Sequence, residues 1–461
     1  MFKNSKMLKG MVLALAFVLV LGAGVLLNLN ANAEGNTVVY YVSDSGNNTT
    51  GKDAATAFHT FEAVTEAANK LNLAPGTELK IIVVDQVFIK TTKLDFNTVK
   101  DSAGGKVHIT ITSADPANKS TILHYVYSSS GATASEKIHL ANDITFKDII
   151  ISGQVQTYCE GNVTVPSTNI DYGKFYRTRG IHIGSNTVEF DNCELTSTFP
   201  SEAKAKTWTL YCDAYAGSTV EGGAHLRLLN GDYSNCGVYT QDQVTPYWDL
   251  SLYVENASVG TVYALADTDQ ATTVNAKSVT CHFKDATVAS YNPQGRGKIG
   301  VINGVTAIFE GDTVVKNWVG CMSSSSSIGD LDGDLTYIFR DNCSISVTSI
   351  DVQSLVEKDG KKTGNKYMYL TPHGVLNGNL HVIVEGGTFN NRMVTGSDTN
   401  KKDTQTAVIN GNIFNEFKGG TFKAGLTCGM GDAGGKVNGT ITNNFYDGFT
   451  LGGSTSYLGS R

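Results

Sequence analysis

Three stretches decide how this chain folds: VTCHFKDATV at 279–288, VTAIFEGDTV at 305–314 and LTYIFRDNCS at 335–344. In each, apolar and polar residues alternate up to a Phe: Phe283, Phe309 and Phe339. Alternation with period two is the signature of a strand with one buried face. Two residues after the Phe stands Asp285, Gly311 or Asp341. Asx and Gly tolerate a left-handed backbone or close a turn with their own side chain. Five residues after the Phe come Val288, Val314 and Ser344, where a second short strand is expected to begin pointing inward.

Working outward, the same pattern recurs through most of the chain. Its apolar anchors are Phe146, Phe190, Leu228, Val254, Phe283, Phe309, Phe339, Val384, Phe417 and Phe445. Two residues beyond them stand Asp148, Asn192, Asn230, Asn256, Asp285, Gly311, Asp341, Gly386, Gly419 and Asp447, every one Asx or Gly. The anchors lie 26 to 45 residues apart. That spacing is too irregular for propeller blades and too strand-rich for helical repeats. It fits the coils of a parallel β-helix with corner loops of varying length. A second recurrent bend, INGV at 302–305, LNGN at 376–379, INGN at 409–412 and VNGT at 437–440, precedes later strands. Asn stacked at equivalent bends is expected to hydrogen-bond from coil to coil.

Composition narrows the function classes. With 461 residues, 49 Gly, 7 Pro and a net charge of −7, the chain is neither collagenous nor a disordered tail, and its acidic balance argues against a nucleic-acid partner. Lys3, Lys6 and Lys9 precede an apolar run from Met11 to Leu27, and Ala31-Asn32-Ala33 follows. These are the three parts of a secretory signal. Its removal would take away three lysines and no acid, leaving a net charge of −10. No second apolar run reaches membrane length, so no membrane association is expected after cleavage. The eight Cys, Cys159, Cys193, Cys212, Cys236, Cys281, Cys321, Cys343 and Cys428, form no CxxC pair, which argues against a zinc ribbon. Isolated within apolar strands, they read as free, buried thiols.

The N-terminal region breaks the pattern. Thr37 to Val42 reads as a strand; Phe61, Val64, Ala68 and Leu71 fall on one face of a helix; Lys80 to Lys90 is strand again. A solenoid must cover its first coil, and an amphipathic helix would do so. The strings YVSDSGN at 41–47, ATAFHTF at 55–61 and GTELKIIVV at 76–84 resemble the N-terminal cap of secreted, right-handed parallel β-helix proteins of the pectate-lyase-like superfamily. The resemblance implies an all-β, right-handed parallel β-helix with an N-terminal cap helix. It also implies a function drawn from pectate lyases, polygalacturonases, epimerases and non-enzymatic adhesins. The superfamily's Asn-Thr-Asp, Asp-Asp, Gly-His-Gly and Arg-Ile-Lys motifs are absent, and His373-Gly374 follows Pro372 rather than Gly. The expected layout is a signal peptide at 1–33, a cap leading into the first coil at 34–95, and the β-helix at 96–461.

The repeat register supplies the candidate site. If the anchors face inward, residues one and three before them face out. On consecutive coils these are Thr187 and Glu189, His225 and Arg227, Ser251 and Tyr253, Thr280 and His282. Coils stack about 4.8 Å apart, so Glu189, Arg227, Tyr253 and His282, flanked by His225, would form a ladder suited to a sugar polymer. The alternative is a solvated face with one Glu–Arg pair. Ile308, Ile338 and Ile383 continue the same outward column, and the insertion from Asp351 to Thr371 is placed to cover them. Asp330, Asp332 and Asp334 invite a calcium-loop reading, but align equally with the bend at Asn377 and Asn379. Calcium is the one cofactor with any signal. The expected function is a secreted or cell-surface protein binding extended polysaccharide or another surface component. The alternatives are a lyase or hydrolase acting along the same face and a purely structural spacer. No closing helix is evident after the last coil, so the further expectation is either a C-terminal capping partner or a chain that continues beyond residue 461.

Overall fold

In the computed structural model the residues described are 36–453, 456 and 458, apart from the corner segments 90–92, 127–137, 156–157, 160–162, 165–179, 199–207, 213–222, 241–247, 266–273, 294–297, 321–329, 349–355, 359–360, 364–365, 372–373, 397–406 and 431–434. The proposed signal at 1–33 lies outside them. The chain is an all-β parallel β-helix. One of its sheets has thirteen strands, one per coil, running from Thr37–Val42 through Thr187–Asp191, Ala224–Leu229, Asp249–Glu255, Ser278–Lys284 and Val305–Glu310 to Ile441–Phe445. Every neighbouring pair in it is parallel.

All ten anchors fall in one register, each directly beside the next. The first nine are buried and belong to one core that runs the length of the coil stack. Stacked rings fill it, with Phe283–Phe309 and Phe309–Phe339 centroids 5.2 and 5.1 Å apart. Phe445, on the last rung, is 39% exposed because no further coil lies over it among the described residues.

The bends follow the sequence reading in seven coils and depart from it in three. Asp148, Asn192, Asn230, Asn256, Asp285, Gly311 and Asp341 all have φ between 49° and 67°. At the last three anchors the left-handed residue comes one position later, at Gly387, Gly420 and Gly448. Hydrogen bonding distinguishes the two forms. The N–H groups of Asn192, Asn230, Asn256 and Asp285 donate forward to the next coil, whereas those of Gly386 and Gly419 donate back to the previous anchor's carbonyl. The reversal therefore happens one residue later.

A second correction concerns Val314 and Ser344. They are half-buried, and Val315 and Ile345 take the inward place and pair with Val288 and Phe389. Those two bends hold one extra, exposed residue, Asp312 or Asn342, ahead of the inward Thr313 or Cys343, which stand where Ala257 and Ala286 stand in shorter bends. The Thr313 hydroxyl donates to the carbonyl oxygens of Phe283 and Glu310, at 3.1 and 2.6 Å.

The Asn–Gly bends stack as expected. Asn438 donates to Asn410 and Asn410 to Asn377, both at 2.6 Å, and Asn377 donates to Asp332. Glycine is required beside them: a Cβ on Gly378 or Gly411 would collide with the carbonyl of Gly333 or Gly378 on the coil below.

The N-terminal edge is covered in two ways. Thr60 caps the helix Phe61–Ala68, its side chain accepting from the Ala63 N–H at 3.2 Å. Phe61, Val64 and Ala68 are buried in the core. Leu71 is not: the helix ends at Ala68, Leu71 is 40% exposed, and Leu73 takes the buried place. The outer backbone edge of Thr37–Val42 is satisfied by the loop that follows it. Tyr41 N–H donates to Gly51 at 2.7 Å, and Phe58 N–H donates to Tyr41 at 2.9 Å. At the other end, Asn415 and Asn443 occupy the inward column, joined by a 2.7 Å hydrogen bond, and Asn443 donates to the Leu458 carbonyl at 2.9 Å.

The six Cys whose side chains are described, Cys193, Cys212, Cys236, Cys281, Cys343 and Cys428, are free and buried. Burial pushes the Cys193, Cys281, Cys343 and Cys428 thiols up to about 12. The Cys159 side chain and Cys321 lie outside the described residues. Among the described residues, no helix is long and apolar enough to cross a membrane.

Candidate functional site

The strands that carry the ladder alternate because their inward residues are apolar and their outward ones polar. Glu189 pairs with Arg227, Arg227 with Tyr253, and Tyr253 with His282, in one unbroken register. The groups also touch. The Arg227 guanidinium lies 3.0 Å from the Glu189 carboxylate and sits over the Tyr253 ring, 5.5 Å from its centroid. Tyr253 meets His282 edge to face at 5.1 Å. His282 Nε2 is 3.0 Å from Glu310. Beside the ladder, His225 Nδ1 lies 2.7 Å from the Ser251 hydroxyl. Arg227 is 45% exposed and Glu189 21%, so the face is wet but ordered by its own contacts.

A second column, one residue beyond each anchor, alternates in charge. Lys147 pairs with Asp191 at 2.7 Å, Glu255 with Lys284 at 2.9 Å, and Arg340 with Glu385 at 2.9 Å. These pairs move the protonation equilibria. Burial pushes the Asp191 carboxyl up, but hydrogen bonds from Lys147 and Asn230 outweigh it and hold it below the usual range. Lys284 and then Tyr253 lower Glu255 through hydrogen bonds. Burial, followed by the Glu255 hydrogen bond, raises the Tyr253 phenol. Tyr253 therefore stays protonated at neutral pH, and Arg227 is held in an ion pair. Such a set donates hydrogen bonds and offers an aromatic surface, while the His225 and His282 rings and the Glu189 and Glu310 carboxylates beside it are groups that can accept a proton.

Around the bend, the same coils form a groove of about 780 Å³ that sequence reasoning missed. Its floor is a column on the next sheet: Glu194, Asp232, Ser258 and Thr287, in register. Its wall is the row of bend residues Asn192, Asn230, Asn256 and Asp285. Lys119 reaches in from an earlier corner, 3.0 Å from Glu194 and 3.2 Å from Asn192. The bend residues are visible in the sequence, but as structural punctuation; their side by side display needs the coil register. A third feature lies further round the coil, where His182, Tyr211, Tyr239 and Tyr263 stack at 4.4, 5.6 and 4.7 Å. The recurring LYC, VYT and VYA at 210–212, 238–240 and 262–264 were its signal.

Asp330, Asp332 and Asp334 stand on one bend, and their carboxylates serve the next coil. Asp330 accepts from the Val375 N–H at 3.1 Å, Asp334 from the Asn379 N–H at 2.7 Å, and Asp332 from the Asn377 amide. Among the described residues, no three His, Cys, Asp or Glu side chains converge as a metal site would need. Ile308, Ile338 and Ile383 are half-buried and paired in line, continuing the ladder column. The side chains at 351–365, expected to cover them, lie outside the described residues.

No family model matches the chain, and no curated protein matches it. Among solved structures it is similar to the native GH136 lacto-N-biosidase from Eubacterium ramulus, at 10% identity and a TM-score of 0.29, over 91% of this chain and 68% of that one. A likeness this loose assigns no activity.

Proposed function

We propose that the protein is a secreted or surface-associated β-helix of the pectate-lyase-like kind that binds an extended polysaccharide along the ladder Glu189–Arg227–Tyr253–His282. The observation that carries this reading is the unbroken register of four complementary polar and aromatic groups on consecutive coils, each touching the next. A polymer needs a line of contacts, and parallel stacking supplies one at about 4.8 Å intervals. The Tyr253 ring packs against sugar C–H groups while Arg227 and His282 bind hydroxyls or carboxylates. The polar and aromatic make-up of the face suits binding, and because His225, His282 and Glu310 stand on it as groups able to take a proton, the same screen tests turnover. Calcium has no role in this reading.

The test is a polysaccharide-binding and depolymerisation screen on residues 34–461, run with and without calcium. Tyr253→Ala should weaken binding roughly tenfold, the worth of one aromatic contact. Arg227→Lys should weaken binding without any turnover to abolish. Depolymerisation that disappears in Arg227→Lys would instead establish the enzyme reading. Unchanged binding by the Tyr253→Ala, Arg227→Ala double variant would remove the ladder from consideration.

A further inference from the structure

The corner groove has unspent hydrogen-bonding capacity that the bends themselves do not use. Along the wall, Asn192 donates to Asp148 and Asn230 to Asp191, at 2.7 and 2.8 Å, so each amide is tied to the coil before it. That ladder stops at Asn256. Its amide makes no side-chain hydrogen bond among the described residues, and neither do the Asn235 amide or the Ser258 and Thr287 hydroxyls facing the same groove. The contrast with Asn377, Asn410 and Asn438, where each amide donates to the previous coil, is direct. Where that corner closes on itself, this one leaves donors and acceptors facing a concave surface.

The charge of the lining is one-sided. Glu194, Asp232 and Asp285 face Lys119 alone, and Lys119 is 16% exposed and already bound to Glu194. No free cation among the lining residues would hold a carboxylate or sulfate, so a polyanion meets uncompensated repulsion there. Hydroxyls, by contrast, pair well with amides, carboxylates and hydroxyls alike. The volume is within the range that holds a small ligand.

We infer that the groove bounded by Asn192, Asn230, Asn256, Glu194, Asp232 and Thr287 is a binding site for a neutral, hydroxyl-rich oligosaccharide, and that it excludes polyuronates. The site deepens the polysaccharide-binding reading by naming the ligand class, but it occupies a different surface from the ladder. The coil rise sets its subsites: Asn230 and Asn256 directly follow the paired Leu229 and Glu255, and Asp232 pairs with Ser258, so an amide and an oxygen-bearing side chain recur once per coil. Each pair can address one pyranose ring.

The experiment is calorimetric titration of residues 34–461 with cellohexaose, laminarihexaose, maltohexaose and hexagalacturonate. At least one neutral hexasaccharide should bind saturably, and hexagalacturonate should not bind in the groove. Asn256→Ala with Ser258→Ala should weaken the neutral ligand roughly tenfold, as expected for two lost hydrogen bonds. Asn256→Gly with Ser258→Ala, which relieves any strain at the left-handed position, should weaken it equally. The double variant Asp232→Asn, Asp285→Asn, which removes two of the three carboxylates facing the groove, should let hexagalacturonate in. Lack of saturable binding by all three neutral sugars would overturn the inference, as would a preference for hexagalacturonate that survives Tyr253→Ala. Neutral binding lost in Tyr253→Ala but intact in the groove variants would overturn the groove and leave the ladder standing. The reverse pattern would leave the groove standing and remove the ladder.

Discussion

A single residue decides which face of a strand is inside, and the bends at Gly311 and Asp341 show how narrowly. Counting five residues from the anchor, as in the shorter bends, puts Val314 and Ser344 in the core; the structure puts Val315 and Ile345 there. The extra residue is invisible to periodicity because Asp312 and Asn342 are exposed polar residues within a turn, where no alternation marks their presence. The two readings differ measurably. Val315→Ala should cost about 2 kcal/mol in urea unfolding, the loss of two buried methyl groups and their contacts. Val314→Ala should stay within roughly 0.5 kcal/mol, as surface changes do. Equal losses at the two positions would restore the shorter count. Legibility at this scale was uneven for a physical reason. Glu189, Arg227, Tyr253 and His282 were placed correctly because a strand's alternation is rigid. The groove was not, because Asn192, Asn230 and Asn256 look the same whether their amides are spent on a neighbour or left facing solvent.

At the scale of the element, the cap shows a different division of labour from the one the sequence implied. The helix Phe61–Ala68 fills the end of the core, but the loop between Gly51 and Phe58 satisfies the outer strand's backbone. Helical spacing pointed to Phe61, Val64 and Ala68 correctly and overran to Leu71, since periodicity has no means of marking the cap at Asn69. Loop hydrogen bonds carry no periodic signal at all. Removing residues 34–75 should therefore expose both an apolar core end and the edge of Glu78–Val83, a ready template for strand pairing. Light scattering should show aggregates at micromolar concentration. A monodisperse deletion protein would mean that the first coil needs no cover.

Over the whole molecule, the ion pairs beside the ladder set how the protein responds to acid. The Asp191, Asp249 and Glu255 carboxyls are held below their usual range by Lys147, Lys277 and Lys284, and in Asp191 this prevails over burial. A carboxyl lowered on folding adds stability above its unfolded pKa, and that contribution is lost as pH falls through the folded value. The melting temperature should thus fall as pH drops from about 5 to about 3. Lys147→Met should lower it slightly at pH 7 and make the acid decline shallower, because Asp191 then titrates closer to its unfolded value. An unchanged acid slope in that variant would show that Asp191 contributes nothing. The overall architecture was the most legible layer, since ten anchors repeating one spacing rule outweigh an error at any one coil. Corner loops carry no such repetition, which is why the groove escaped notice while the solenoid did not.

The direction of the backbone hydrogen bonds has a mechanical consequence. In this stack the bonds of the long sheet join one coil to the next, so they lie along the axis of the solenoid. Tension between the two ends loads them in line, the geometry of peeling, where bonds yield a few at a time, rather than of shear, where they resist together. Only its two neighbours hold each coil. A filament anchored at one end and pulled at the other would lengthen in discrete steps, a 28-residue coil releasing roughly 95 Å of chain. Among the described residues, the rung of Phe445 is covered on one side only, whereas the opposite end is capped beneath Phe61. Under such a pull the stack resists with the strength of one coil, however many coils it has.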